Sequence, residues 1–505
     1  MKYSRIVPLY GTLEIKCSGV SDGNPFTERS IYAEISGAES RTVRGFYDGS
    51  GVYIVRFMPQ KIGEYNFRIY GNFSDESAEG SFKVSQPENS QHGMVGVSGK
   101  YHFAYADGTP YYSVGTTCYV WHLQPAEIKA LTLRSLVECG FNKIRFCVFP
   151  KHYAYNLSEP PCYPYEGTPM DSSVLNMNNF KEYNGCPEGN SWDFTRFKPE
   201  YFRNLEDCII KLRELHIEAD IILFHPYDRW GFSMLTREQS RLYLEYVTAR
   251  FSAYSNVWWS LANEYDLMPD RTADDWNYYA EIIMKNDPYG HLRSIHNCMG
   301  FFDHSAAWVT HCSIQRQDIY KTAEFTDEWR EQYGKPVVLD EIAYEGNMPY
   351  GWGNITGEEM LRRFWEAFCR GGYAGHGETY LTDPGDIWWS HGGKLHGESC
   401  KRIKFLRDIM VESPAPGLKP GDGMWDELLA VPEDDGEFSR MGYRIYYYSF
   451  MRPAYRDYEI NDGCEYDVEI IDTWNMTITH AGRFSGKFRV KLPSKQYIAV
   501  RMKKV

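Results

Sequence analysis

The stretch "NVWWSLANEYD" (Asn256–Asp266) opens apolar and ends polar. A short apolar run, "NVWWSLA", bounded by polar residues reads as a strand buried on both faces. Asn263, Glu264, Tyr265 and Asp266 follow at once. Burying a carboxylate without partners is costly. Acidic residues at the end of such a strand are therefore either satisfied by neighbours or engaged in chemistry.

Seven other runs resemble this one: "YYSVGTTC", "NKIRFCVF", "ADIILF", "LRSIHNC", "VTHCSIQ", "KPVVLDE" and "GGYAGHGETY". Amphipathic segments lie between them. In "KPEYFRNLEDCIIKLREL", Phe202, Leu205, Ile209, Leu212 and Leu215 keep the three-to-four spacing of one helix face. "TREQSRLYLEYVTARFSAYS" and "TADDWNYYAEIIMKND" each begin with a threonine placed as an N-cap. Eight strand–helix pairs predict a (β/α)8 TIM barrel. A doubly wound open sheet would show a glycine-rich phosphate turn after its first strand, and "VGTTCYVW" is not one.

The flanks differ. Residues 1–88 alternate with period two in short runs such as "GVYIVRFMP" and "GEYNFRIYG", which predicts an Ig-like β-sandwich. "SQPENSQHG" (Ser85–Gly93) reads as a linker. The barrel is expected over 89–412. "ESPAPGLKPGDG" (Glu412–Gly423) marks a second linker, and 413–505 a C-terminal β-sandwich.

Composition narrows the function. The 505 residues carry a net charge of −14 and no long Lys/Arg block, which argues against nucleic acid as a partner. No run of 18 apolar residues is present, so no membrane span is expected. The opening "MKYSRIVPLYGTLEI" lacks a signal-peptide core. Twelve cysteines are scattered without a CxxC pair. A cytoplasmic protein with reduced thiols fits these features. Aromatics reach 16%, an excess suited to tyrosine-rich cores or to stacking on sugars.

Catalytic groups of a (β/α)8 barrel sit at the C-terminal ends of its strands. Strand four ends in Asn263-Glu264 and strand seven in Asp340-Glu341; strand two ends near Arg145, strand three near His225, strand eight at His376 and Glu378. Glu264 and Glu341 thus face each other across the mouth. Paired carboxylates are what glycoside hydrolysis needs: one protonates the leaving oxygen, the other attacks the anomeric carbon or activates water. Proximity to a second carboxylate raises the pKa of the proton donor, which assigns that role to Glu264. Tyr227 and Trp230 in "HPYDRW", and Trp388 and Trp389 in "DIWWSHGG", are further candidates for contact with sugar. The long connection Phe149–Phe180 is expected to cover the mouth.

Asn-Glu after strand four and Glu after strand seven resemble the large clan of retaining (β/α)8 glycoside hydrolases. The three-part layout, "GFYDGSGVYIVRFMPQKIGEYNFRI" and "HGETYLTDPGDIWWSHGGKLHGES" resemble the apiosidase-like glycosidases. The resemblance implies Glu264 as acid/base, Glu341 as nucleophile, Asn263 on the sugar 2-hydroxyl and Arg145 positioning Glu341. Such barrels often carry Gly-Asp-Thr after strand one. Here Thr116 of "VGTTC" stands in the aspartate's place, so apiose specificity is not carried over.

The resulting expectation is a retaining, exo-acting glycoside hydrolase for small glycosides or oligosaccharides. It needs no cofactor or metal, and homo-oligomers are common among such enzymes. Asp340 and Glu345 compete with Glu341 as nucleophile. Two other readings compete with the whole: a carbohydrate-binding protein on an inactive barrel, and a metal-dependent hydrolase using His225, His296, His304 and His311. The latter lacks the H-x-H pair expected after strand one.

Overall fold

The computed structural model describes all residues except 76, 89, 90, 317, 383–386 and 434–441. The expected linker Ser85–Gly93 therefore lies partly outside the described residues.

Eight parallel strands form the centre: Val114–Thr117, Lys143–Cys147, Glu218–Phe224, Val257–Ala262, Arg293–Ser294, Cys312–Gln315, Val337–Glu341 and Tyr373–His376. Each falls within one of the eight apolar runs, except that the third starts one residue before its run, at Glu218. They pair in sequence order, and the eighth returns to pair with the first. Between the fifth and sixth the ladder narrows to one bridge, His296 to Ser313. The ring is a (β/α)8 barrel, nearly closed.

The helices follow the expected signals. Pro199–Glu214 starts on a proline, whose missing N–H costs nothing at that position. It buries Phe202, Leu205, Ile209 and Leu212; Leu215 is its C-cap and is exposed. Thr236 and Gln239 form a capping box for Arg237–Phe251, and Thr272 and Asp275 one for Ala273–Asn286.

The fifth of the expected strand–helix pairs is not complete. No helix follows the fifth strand. The Asp266 carboxylate accepts the backbone N–H groups of Cys298, Met299 and Gly300 at 2.6, 2.8 and 2.8 Å. Three consecutive N–H groups turned onto one side chain hold this segment as a loop.

Below the mouth, Lys143 crosses the barrel interior and donates to Asp220 at 2.9 Å and Asp340 at 2.6 Å. A small sheet of Val95–Ser98, His102–Tyr105 and Pro110–Tyr111 covers the opposite end, where Phe103 and Tyr111 pack on Trp258. Glu218 is buried there as well, with Trp258 Nε1 donating to it at 3.0 Å. Burial outweighs that bond and lifts its pKa to about 8 from 4.5. The folded state thus holds this proton more tightly than the unfolded chain. Its contribution is full below the unfolded value and is lost as pH rises through 8, at about 1.4 kcal/mol per pH unit. Glu218→Gln keeps the acceptor for Trp258. Thermal unfolding should then show similar stability for both proteins near pH 5 and a variant several °C more stable at pH 8. Parallel Tm–pH curves would refute this.

Flanking β-sheets complete the chain. In residues 1–88 a five-stranded sheet and a three-stranded sheet enclose a core of Leu13, Ile15, Ile35, Val55, Phe67 and Val84, among others. Beyond the barrel a six-stranded sheet packs on a ribbon of Tyr455–Ile460 and Gly486–Lys491. Arg56 of the N-terminal sheets reaches into the barrel. It bonds Glu206, which also accepts from Arg250 at 3.0 Å, and it donates to the Arg250 carbonyl at 2.8 Å. No helix among the described residues is long and apolar enough to cross a membrane.

Candidate active site

The C-terminal ends of the strands surround a cavity of about 390 Å³ lined by Glu264 and Glu341. Tyr119, Lys151, Tyr153, Tyr227, Cys298, Gln315, Tyr344, Trp352 and Trp389 join them. The ring of aromatics gives the cavity apolar faces with polar edges, the surface that suits a sugar.

Glu341 ends the seventh strand and is nine-tenths buried. Tyr119 donates its hydroxyl to Oε1, Arg145 donates Nη1 to the same oxygen at 3.1 Å, and His296 Nε2 stands 3.4 Å away. Burial alone would raise its pKa. The hydrogen bond from His296, its charge and that of Arg145, and the Tyr119 hydrogen bond outweigh burial and hold the carboxyl below the usual range. Glu341 is thereby kept ionised.

The rival acids have other partners. Asp340 is bound by Lys143 and by Ser313 Oγ at 2.6 Å, on the interior side of the strand. Ser313 Oγ lies 3.0 Å from His296 Nδ1, so the interior ions reach the imidazole beside Glu341. Glu345 accepts from the backbone N–H of Glu398 at 2.7 Å and Ser399 at 3.1 Å, holding the start of helix Ser399–Val411.

Glu264 follows the fourth strand in left-handed backbone, with φ 49° and ψ 54°. Residues other than glycine rarely adopt this region, and holding one there costs roughly 1–3 kcal/mol. Tyr227 donates its hydroxyl to Glu264 Oε2, and Asn263 Nδ2 lies 3.2 Å from the same oxygen. Burial raises the Glu264 pKa and the charge of Glu341 raises it further; Lys151 opposes both without reversing them. One cavity thus holds one carboxyl biased toward its proton and one biased against it.

Of the other residues singled out in the sequence, Asn263, Arg145, Tyr227 and Trp389 belong to this cluster. The Tyr119 hydroxyl, which donates to Glu341, also lies 3.3 Å from Asn263 Oδ1. His225, Trp230, His376, Glu378 and Trp388 do not line the cavity. His225 is buried beside the Phe149 carbonyl, and Trp230 Nε1 donates to Glu159 at 3.2 Å. Thr116 Oγ1 accepts from Trp388 Nε1 at 2.8 Å and lies 3.1 Å from His376 Nδ1. The residue at the family's aspartate position therefore holds two of these side chains. Glu378 accepts the backbone N–H groups of His396 and Gly397 at 2.5 and 2.8 Å. The long connection after the second strand does reach the mouth, through Lys151 and Tyr153.

Sequence reasoning missed Tyr119 and Lys151, and offered His296 only as a metal ligand. Each follows a barrel strand within a few residues, so its position was available. Tyrosine, lysine and histidine are too common at strand ends to stand out without their neighbours in space.

Comparison with known proteins agrees with this fold. Residues 98–432 match the family described as apiosidase-like, catalytic domain. Residues 6–72 and 425–503 match two families described as domains of unknown function, DUF5060 and DUF5605. A solved glycoside hydrolase candidate from Bacteroides vulgatus is 35% identical over 99% of this chain and 100% of its own, with a TM-score of 0.89. A glycoside hydrolase family 5 protein from the same organism shares the fold at 17% identity, covering 81% of this chain and 93% of its own, with a TM-score of 0.58. A comparison with curated proteins gives no match. The barrel is of the glycoside hydrolase type. The chain belongs to the apiosidase-like catalytic domain family.

Proposed function

We propose that the protein is a retaining, exo-acting glycoside hydrolase for small glycosides or oligosaccharides. The observation that carries this reading is the opposite electrostatic setting of Glu264 and Glu341 in one cavity. Glu341, ionised, attacks the anomeric carbon while Glu264 gives its proton to the departing oxygen. The glycosidic C–O bond breaks and a C–O bond to Glu341 forms. That ester removes the charge that raised the Glu264 pKa, so Glu264 becomes the better base. It takes a proton from water, whose oxygen attacks the same carbon and frees Glu341.

Within the cluster, Arg145 and Tyr119 hold the nucleophile, and Asn263 binds the sugar 2-hydroxyl. Two glutamates reaching inward from strands four and seven are expected to stand about 5–5.5 Å apart, as double displacement requires, rather than the roughly 6.5–9.5 Å that admits a water for inversion. NMR of the first-formed anomer tests the scheme on whichever aryl glycoside is cleaved. Retention is expected, and clean inversion would remove Glu341 as nucleophile.

A further inference from the structure

The scheme above gives no task to Lys151. It lies just past the second barrel strand, is 4% exposed and lines the cavity. Its Nζ sits 3.4 Å from the centroid of the Tyr119 ring, 4.2 Å from Tyr227, 5.0 Å from Trp389 and 5.7 Å from Tyr153. Four aromatic rings hold a cation well through their electron-rich faces. They offer no strong acceptor for its three N–H groups.

Among the described residues Lys151 Nζ makes no hydrogen bond and no ion pair, unlike the other cations of the cavity wall. Arg316 pairs with Asp318 and Arg363 with Glu359. Arg145, just behind the wall, pairs with Glu341. With Glu264 in its protonated form, the ammonium is the uncompensated charge of the inner cavity. A buried cation without a partner is costly. A neutral sugar hydroxyl would accept from it but would leave its charge unmatched. An anionic oxygen would do both.

We infer that Lys151 is a specificity-determining residue that binds a carboxylate on the sugar held in the cavity, so that the substrates are glycosides of sugar acids. This rests on the glycosidase reading and narrows it. A bound carboxylate would favour the ammonium form. Burial lowers its pKa to about 8, the charges of Glu264 and Glu341 and the nearby Cys147 opposing the fall and Arg145 adding to it. Selectivity for acids should therefore fade as pH rises and the ammonium loses its proton.

The test compares 4-nitrophenyl hexuronides with the matching hexosides, and calorimetric binding of free galacturonic and glucuronic acids with galactose and glucose. The wild type should favour the acid of a matched pair at least tenfold, in binding or in kcat/KM. Lys151→Met, which fills the same space, should bring the pair to parity, and Lys151→Arg should keep part of the preference. Their melting temperatures report whether each variant is folded. Equal binding of acid and neutral sugar, binding of neither, or a preference that survives in Lys151→Met would each overturn the inference. Turnover of neutral hexosides with no gain for acids removes the role of Lys151 and leaves the glycosidase. Selective binding of acids without turnover of any glycoside upholds Lys151 and removes the glycosidase.

Discussion

Glu341→Gln should lose turnover on every glycoside the protein cleaves, by roughly 10⁴-fold or more. The amide has nearly the shape of the carboxyl but no charge to give the anomeric carbon. Its surroundings would still bind it. Tyr119 and Arg145 can donate to the amide oxygen as they do to Oε1. The loss should thus appear in kcat, with melting temperature and sugar binding little altered. A variant retaining a tenth of wild-type kcat would end the assignment, and Asp340 could not easily take over while Lys143 and Ser313 hold it.

Glu264→Ala should split substrates by leaving group. A poor leaving group, such as a sugar alcohol, needs the proton from Glu264, so its hydrolysis should fall by about 10²–10⁴-fold. A nitrophenolate departs unaided, and formation of the glycosyl-enzyme from it should slow less than tenfold. The pH profile supplies a second readout. In the wild type, activity should fall on the alkaline side as Glu264 loses the proton that burial and Glu341 help it keep. That limb should vanish for activated substrates in the variant. Equal slowing of both substrate types would dismiss Glu264 as the acid. Tyr227 offers a smaller version of the same experiment. Its hydroxyl bonds Glu264, so Tyr227→Phe should shift the alkaline limb without removing it.

The barrel was legible because its strands are buried on both faces. "VWWSLA" has no polar alternation, and every residue in it is buried. Helix starts were legible from single residues, as Thr236 and Thr272 illustrate. The missing helix after the fifth strand was not. Its cause is Asp266, a side chain remote in sequence from the N–H groups it gathers. The same limit governed the site. Glu264 and Glu341 could be found because barrel strands point their ends to one place. His376 and Glu378 obey that rule too, yet the structure turns them toward Thr116 and the 396–397 backbone. Position on a strand says which end a residue occupies. Orientation about the strand depends on partners that the sequence does not name.

Arg56 has a consequence for anyone wishing to exchange parts of this molecule. A barrel cut free of the first 88 residues, or grafted to another enzyme's sheets, would lose one of the two guanidinium groups bonded to Glu206. Breaking a buried ion pair by removing one member typically costs about 3–5 kcal/mol, a large part of a domain's whole stability. The same cut removes Asp48, which pairs with Arg250 at 2.7 Å, so a graft must supply a cation for Glu206 and an acid for Arg250 together. The N-terminal sheets are thus less an appendage than a plug fitted to one socket, and chimeras of this chain should be designed across that joint rather than at the linker.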